Sequence, residues 1–459
     1  MRLVPPPSET IEGISPEVCS RQRSCVQVLE ACLARINERE PEVRAWVVID
    51  RAGARAQAQK FDAELAAGRW RGPLHGIPIG IKDIVDVQGL PTACGSRLWA
   101  NRVATDDAPV VARLRAAGAV IMGKTVTTQY AWIDPPVTHN PWNLTRTPGG
   151  SSSGSAAAVA CGMCLGAIGS QTGGSITRPA AFCGVCGLKP THGRLSLSGL
   201  LPLSPSLDHP GPIARTVNDL YLMWRALAAD GAQGAYEVPS GQERDFSTPP
   251  PRLGRLRGIF HDLAEPAMQQ AIDGALGVLA VAGAKVIEPV LPARFQNVLT
   301  CHRSVMAAEV AAGHDRRLAQ HPDDYQPRIT ALIAEGQKIP STQYIRSLQH
   351  QNQLKRDILL SLEKVDAFIT PAALGPAPDT STTGDAVFNA PWSYTGLPTI
   401  SLPVGLSPEG LPLAIQLVGQ PLGEESLFRI AFWCEHILHA NNPTHSDDRR
   451  PDRPARTGG

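Results

Sequence analysis

Residues 148–194 read PGGSSSGSAAAVACGMCLGAIGSQTGGSITRPAAFCGVCGLKPTHGR. The stretch is crowded with glycine, serine and alanine and holds few charges. Glycine allows tight backbone turns and close approach of the chain to a ligand. Serines set among them bring hydroxyl groups into the same neighbourhood. The flanks show what kind of scaffold carries it. Upstream, Ser24 and Gln27 fit a capping box, and Cys25, Val28, Leu29, Cys32, Leu33 and Ile36 recur at helical spacing, predicting a helix over 24–39. A second helix is expected over 51–67. GIPIGIKD (76–83) is a short apolar strand that ends in a lysine and an aspartate. A helix over 107–117 stops at Gly118, and AVIM (119–122) is a buried strand. Downstream, 235–252 is polar and proline-rich and reads as a surface loop or linker. A helix over 266–283 and the strand AKVIEPV follow, and the tail from Pro443 is expected to be disordered. This alternation of helices and strands predicts an α/β fold with a central mixed, mainly parallel sheet covered on both faces by helices.

Short patterns in and near the opening stretch compete for a functional reading. GAVIMGKT (118–125) matches a phosphate-loop pattern letter for letter. That mechanism needs a flexible loop of amides, whereas Ala119, Val120, Ile121 and Met122 make a strand. CGMC (161–164) and CGVC (183–186) have zinc-like spacing, and they define a rival reading as a zinc-stabilised binding module. Their neighbours are apolar and uncharged, which suits buried free thiols better. GSSSG (150–154) matches a nucleophile elbow centred on Ser152, but such an elbow follows a strand. Here Pro141 and Pro148 precede it, and neither His192 nor His209 is marked as a partner.

The ordered set of segments resembles the amidase signature family. TPGGSSSGSAAAVACG, then GSQTGGSITRPAAFCGVCGLKPTHGR, match its Gly-Gly-Ser-Ser-Gly run, its T-G-G-S-I and its F-C-G-V-x-G-L-K-P-T. GIPIGIKD is similar to the family's lysine motif, and GAVIMGKT to its usual strand and turn. SLDHPGPIARTVNDL (206–220) resembles D-x-x-G-P-I-A-R-T-V. DAFITPA (366–372), GLPTISLPVG (396–405) and GLPLAIQLVG (410–419) resemble its C-terminal strands. The likeness spans about residues 24 to 440.

The resemblance implies a single large amidase-signature domain. Within it, 1–70 would be an N-terminal helical region packed on the core and 71–235 the signature core. Residues 236–350 would be a variable helical insertion shaping the pocket, 351–442 the C-terminal part of the core, and 443–459 a tail. It also implies a catalytic triad, with Ser175 as nucleophile, Ser151 as bridging serine after a cis peptide bond, and Lys82 as base. The backbone amides of Thr172, Gly173, Gly174 and Ser175 would form the oxyanion hole. The chemistry is coherent. A serine hydroxyl is a weak nucleophile and needs an adjacent base. A lysine is a base only when neutral, which requires burial to pull its pKa from about 10.4 toward 7 to 8.

The sequence departs from the family pattern in places. Gln171 stands where an aspartate is usual, Thr177 where an arginine is usual, and Arg178 comes one position later. Ser153 replaces a glycine. KTVTTQYAW (124–132) departs from N-M-D-E-F, which makes Tyr130 and Trp132, with Gln171, candidate pocket residues. The implied activity is hydrolysis of a carboxamide or a related bond of an anilide, ester or carbamate (urethane), with no cofactor and no metal. The alternative is a glutamyl-tRNA amidotransferase A-like subunit, which needs partner chains.

The bulk numbers agree. The 459 residues are 43% hydrophobic and 19% charged, with a net charge of +1. Near-balance gives no electrostatic case for nucleic acid or an anionic membrane. No apolar run is long enough to span a bilayer and the N-terminus lacks a signal-peptide core. A cytoplasmic enzyme, monomer or homodimer, with its ten cysteines reduced is therefore expected.

Overall fold

The computed structural model describes residues 9–228 and 249–440. Most of the expected linker at 235–252 and all of the expected tail from Pro443 lie outside those residues. Eleven strands form one sheet. They are β1 (Trp46–Ile49), β2 (Pro78–Lys82), β3 (Val120–Thr125), β4 (Gly166–Gln171), β5 (Cys186–Lys189), β6 (His209–Ala214), β7 (Arg252–Arg255), β8 (Lys285–Ile287), β9 (Ala367–Pro371), β10 (Thr399–Leu406) and β11 (Pro412–Val418). Their spatial order is β1-β3-β2-β4-β6-β5-β10-β11-β9-β7-β8.

The sheet is mixed and flanked by helices, as the resemblance implied. Its parallel share is smaller than the helix–strand alternation suggested. Parallel pairing is confined to two blocks, β3-β2-β4 and β9-β7-β8, and every other pairing is antiparallel. Within that middle, β5–β6 and β10–β11 are consecutive strands joined without a crossover helix, which suits antiparallel pairing. Strands β2, β3, β4, β5, β6, β9 and β11 are buried along their whole length. That explains why they read as apolar or glycine-rich runs without polar alternation.

The expected helices form with small changes at their ends. Cys25–Val43 carries the Ser24–Gln27 capping box and buries the predicted apolar face. Arg51–Ala66, Pro109–Ala116 and Pro266–Val281 occupy the other expected spans. The 236–350 segment is more than a helical insertion. Its β7 and β8 complete one edge of the sheet, and only then do the helices Val298–Gln320 and Pro327–Gly336 follow. Among the described residues no helix is long and apolar enough to cross a membrane.

This topology gathers one end of the sheet into a site. Strands β2 and β4 are parallel neighbours, so their C-terminal residues, Lys82 and Gln171, emerge side by side. Strand β6 runs antiparallel to β4, and its first residue, His209, pairs with Gln171. The chain just before β6 therefore arrives at the same end. Crevices at the carboxyl ends of strands are where open α/β sheets bind ligands.

Candidate active site

Lys82 ends β2 and is fully buried. Its Nζ donates to Ser151 Oγ at 2.7 Å and to Ser170 Oγ at 2.8 Å. Burial pushes its pKa down from 10.5 to about 7, against the opposing pull of Asp208 and Cys94. The amine can thus shed its charge near neutral pH.

Ser151 follows a cis peptide bond from Gly150. Gly149 has φ +82°, and a Cβ there would lie 2.8 Å from Pro179 Cα, so this turn demands glycine. Gly154 is the second residue of the helix Ser153–Ala160. A Cβ there would stand 2.1 Å from Ala45 O, so only glycine lets the helix approach that backbone. The Ser151 carbonyl accepts from Thr128 N at 3.2 Å.

Ser175 sits after the Thr172–Gly174 turn, and its carbonyl accepts from Ser152 N at 3.4 Å. The backbones of the two expected serine segments therefore meet. Among the described residues the Ser175 hydroxyl makes no hydrogen bond of its own. The loop before it has an unusual division of labour. The Thr172 carbonyl is engaged by His302 Nε2 at 2.9 Å, that of Gly173 by Ser393 Oγ at 2.8 Å, and that of Gly174 by Arg178 N at 2.9 Å. The amides of Thr172, Gly173, Gly174 and Ser175 have no acceptor among the described residues. Unpaired amides at a buried turn are costly unless a ligand takes them up, and they suit a developing oxyanion.

Gln171, one of the candidate pocket residues, is completely buried. Its Oε1 accepts from Ile176 N, Thr177 N and Thr177 Oγ1 at 2.9, 3.0 and 3.1 Å. Its Nε2 donates to Ser393 Oγ at 3.2 Å. The amide oxygen braces the turn from behind. Tyr130, another candidate pocket residue, has a separate set of partners. It is wholly buried, donates to Asp324 Oδ2 at 2.7 Å, lies 3.0 Å from Ser96 Oγ, and packs on His314 and Tyr325. It anchors the helical segment to the core. Trp132 is almost buried and lies under the Arg303 guanidinium.

Residues not singled out from the sequence complete the site. Asp208, buried before β6, accepts from Thr172 Oγ1 at 2.5 Å, Leu203 N at 2.9 Å and Ser204 N at 3.0 Å. Burial raises its carboxyl to about 7. The signal for it was present in the D-x-x-G-P pattern of SLDHPGP. His302, whose pKa burial lowers to about 4, comes from the segment with least family likeness, and nothing local marked it. The buried Asn389 side chain abuts Gly174 and holds Ala372 O at 2.9 Å.

The competing motifs resolve structurally. The 118–125 stretch is mostly β3, fully buried and without a phosphate loop. Cys161, Cys164, Cys183 and Cys186 are buried free thiols. Burial pushes the Cys161 pKa up to about 11. Among the described residues no group of His, Cys, Asp or Glu is placed to hold a metal. Ser152 follows no strand; its hydroxyl bonds with the Ser170 backbone at 3.2 Å.

Known proteins resemble this chain over nearly its whole described length. The family model described as Amidase matches residues 27–428. The chain is 37% identical to the A-subunit of the glutamyl-tRNA(Gln) amidotransferase of Roseiflexus castenholzii, over 93% of this chain and 95% of that one. It is 35% identical to an amidase of Pseudomonas putida, over 95% and 97% of the two chains. The native peptide amidase from Stenotrophomonas maltophilia superposes with a TM-score of 0.82 at 29% identity, covering 96% of this chain and 99% of that one.

Proposed function

The chain belongs to the amidase family and is a hydrolase of carbon–nitrogen bonds, and on that premise we propose that it works through Ser175, Ser151 and Lys82. The observation that carries the reading is the buried Lys82 amine 2.7 Å from Ser151 Oγ, beside a turn whose amides are free. At the ordinary lysine pKa roughly one amine in three thousand would be neutral at pH 7. With a pKa of about 7, roughly half are neutral there.

Ser175 Oγ attacks the substrate carbonyl carbon. Its proton passes to Ser151 Oγ while the Ser151 proton passes to Lys82 Nζ. The carbonyl oxygen becomes an oxyanion held by the amides of the Thr172–Ser175 turn. One such donor contributes about 3 to 4 kcal/mol to the transition state. Collapse breaks the C–N bond, and the leaving nitrogen takes the proton back through the same relay. Water then adds to the acyl-enzyme by the same steps, releasing the acid and restoring Ser175. Amides are the default substrates. Anilides, esters and carbamates pass through the same tetrahedral geometry. The residues act without cofactor or metal, on a small molecule and not on nucleic acid, in a cytoplasmic monomer or homodimer.

Purified protein should hydrolyse members of an amide, anilide, ester and carbamate panel. A fluorophosphonate label should map to the peptide bearing Ser175. Turnover that survives Ser175→Ala would dismiss the scheme. A second reading is favoured by the likeness to the A-subunit of an amidotransferase: the chain would then serve within a complex. Full activity of the isolated chain on a simple anilide would exclude it.

A further inference from the structure

Arg178, on the first turn of the helix Thr177–Cys183, is buried without a counter-charge. Its Nη2 donates to Gly150 O at 2.8 Å and more weakly to Thr383 Oγ1 at 3.4 Å. Its Nε and Nη1 are shut off from solvent and have no partner. Burial lowers the guanidinium pKa to about 10, so it stays charged at neutral pH.

Gln171, at the position where the family pattern has an acid, is neutral and spends its oxygen on the turn. The acid whose charge reaches Arg178 is Asp385, an exposed residue of the strap 381–386. The Asp385 carboxylate accepts from Val387 N at 2.9 Å within its own turn. A buried charge without a compensating partner is strongly unfavourable, and a guanidinium with free N–H groups matches a carboxylate.

Its position bears on the reaction. Gly150 O belongs to the peptide that leads into Ser151. Strap residue Thr383 packs beside Gly150, Gly384 lies against the Arg178 side chain, and Ala386 faces Gly173. The strap thus runs from the guanidinium to the Thr172–Ser175 turn.

We propose that Arg178 binds a carboxylate carried by the substrate, so that the enzyme selects small acidic amides, with the strap 381–386 lifting to admit them and closing over the ion pair. This rests on the catalytic reading above. The selection acts mainly on binding, because the guanidinium meets a group that does not change charge during the reaction.

The test uses the half-amide of a short dicarboxylic acid, its methyl ester and its diamide, with ammonia release as the assay. Wild type should favour the half-amide by at least about tenfold in kcat/KM, the scale of a single charge-assisted contact. Arg178→Met should lose that preference through KM, and Arg178→Lys should recover part of it. In parallel, the half-amide should raise the Tm of Ser175→Ala and leave that of Ser175→Ala with Arg178→Met unmoved. Equal preference in wild type and Arg178→Met, or an equal loss on charged and neutral substrates, would overturn the proposal. A Tm shift without any hydrolysis by the wild type would sink the catalytic reading and leave the carboxylate site standing.

Discussion

Thr172 Oγ1 donates a 2.5 Å hydrogen bond to Asp208, tying the first residue of the Thr172–Ser175 turn to a buried acid that also acts electrostatically on Lys82. One side chain thus sets both the geometry of the turn and the basicity of the amine. In Asp208→Asn the turn loosens, and kcat should fall on the order of 10- to 100-fold. Asp208 holds the Lys82 pKa up, so its loss should move the acid limb of kcat/KM to lower pH. A limb that stays in place would show that Asp208 acts on the turn alone.

Lys82 links activity to pH and to stability with opposite consequences. In the wild type, kcat/KM should fall below about pH 7 as the amine protonates. Lys82→Arg cannot shed its proton and should be essentially inactive. The unfolded chain keeps Lys82 charged up to about 10.5 and the folded chain only to about 7. Between those values the unfolded state binds more protons, so stability rises with pH through that window. Lys82→Met removes the penalty. At pH 7 it should be more stable than wild type by on the order of 1–4 kcal/mol in denaturant titrations, and the gap should close toward pH 10.5.

Gln171→Leu leaves buried donors at Ile176 and Thr177 without their acceptor, and Ser393 Oγ without the donor it accepts from. Each such loss costs about 1–3 kcal/mol. A marked drop in Tm with loss of activity is expected, whereas a pocket-wall role would change substrate preference with little change in Tm.

The paired cysteines give a metal-free expectation. Prolonged chelation should leave Tm and activity unchanged, and purified protein should carry less than one zinc per chain. Cys161→Ala should cost about 1–2 kcal/mol, the scale of a small buried cavity. A collapse of Tm on chelation would reinstate a zinc site.

The helical segment is fastened through Asp324, which accepts from Ser96 Oγ and Tyr130 OH at 2.7 Å each and from Arg97 N at 2.9 Å. If Val298–Gly336 shapes the pocket, Asp324→Ala should raise KM several-fold. Amide exchange should rise in that segment more than in the sheet.

The buried strands and their order of use were legible because their apolar runs and flanking glycines carry local signals. The capping box at Ser24 and Gln27 and the lysine closing β2 belong to that class. What stayed hidden was long-range. Tyr130 read as a pocket wall because its partner, Asp324, lies 194 residues away. Gln171 read as a specificity residue because nothing local shows that its oxygen turns back onto Ile176 and Thr177. His302 reaches Thr172 O from a segment with no recognisable pattern. The antiparallel middle of the sheet depends on pairing across the whole chain, which periodicity does not encode.

The three carbonyls flanking the free amides are each pinned from a different quarter: His302 from the helical segment, Ser393 from the C-terminal third, and Arg178 from the helix after Ser175. If the turn is the oxyanion cradle proposed above, it is held from three sides before any substrate arrives. Rate acceleration is then common property of whatever acyl group enters, and evolutionary drift in the surrounding walls can exchange one substrate for another without rebuilding the catalyst.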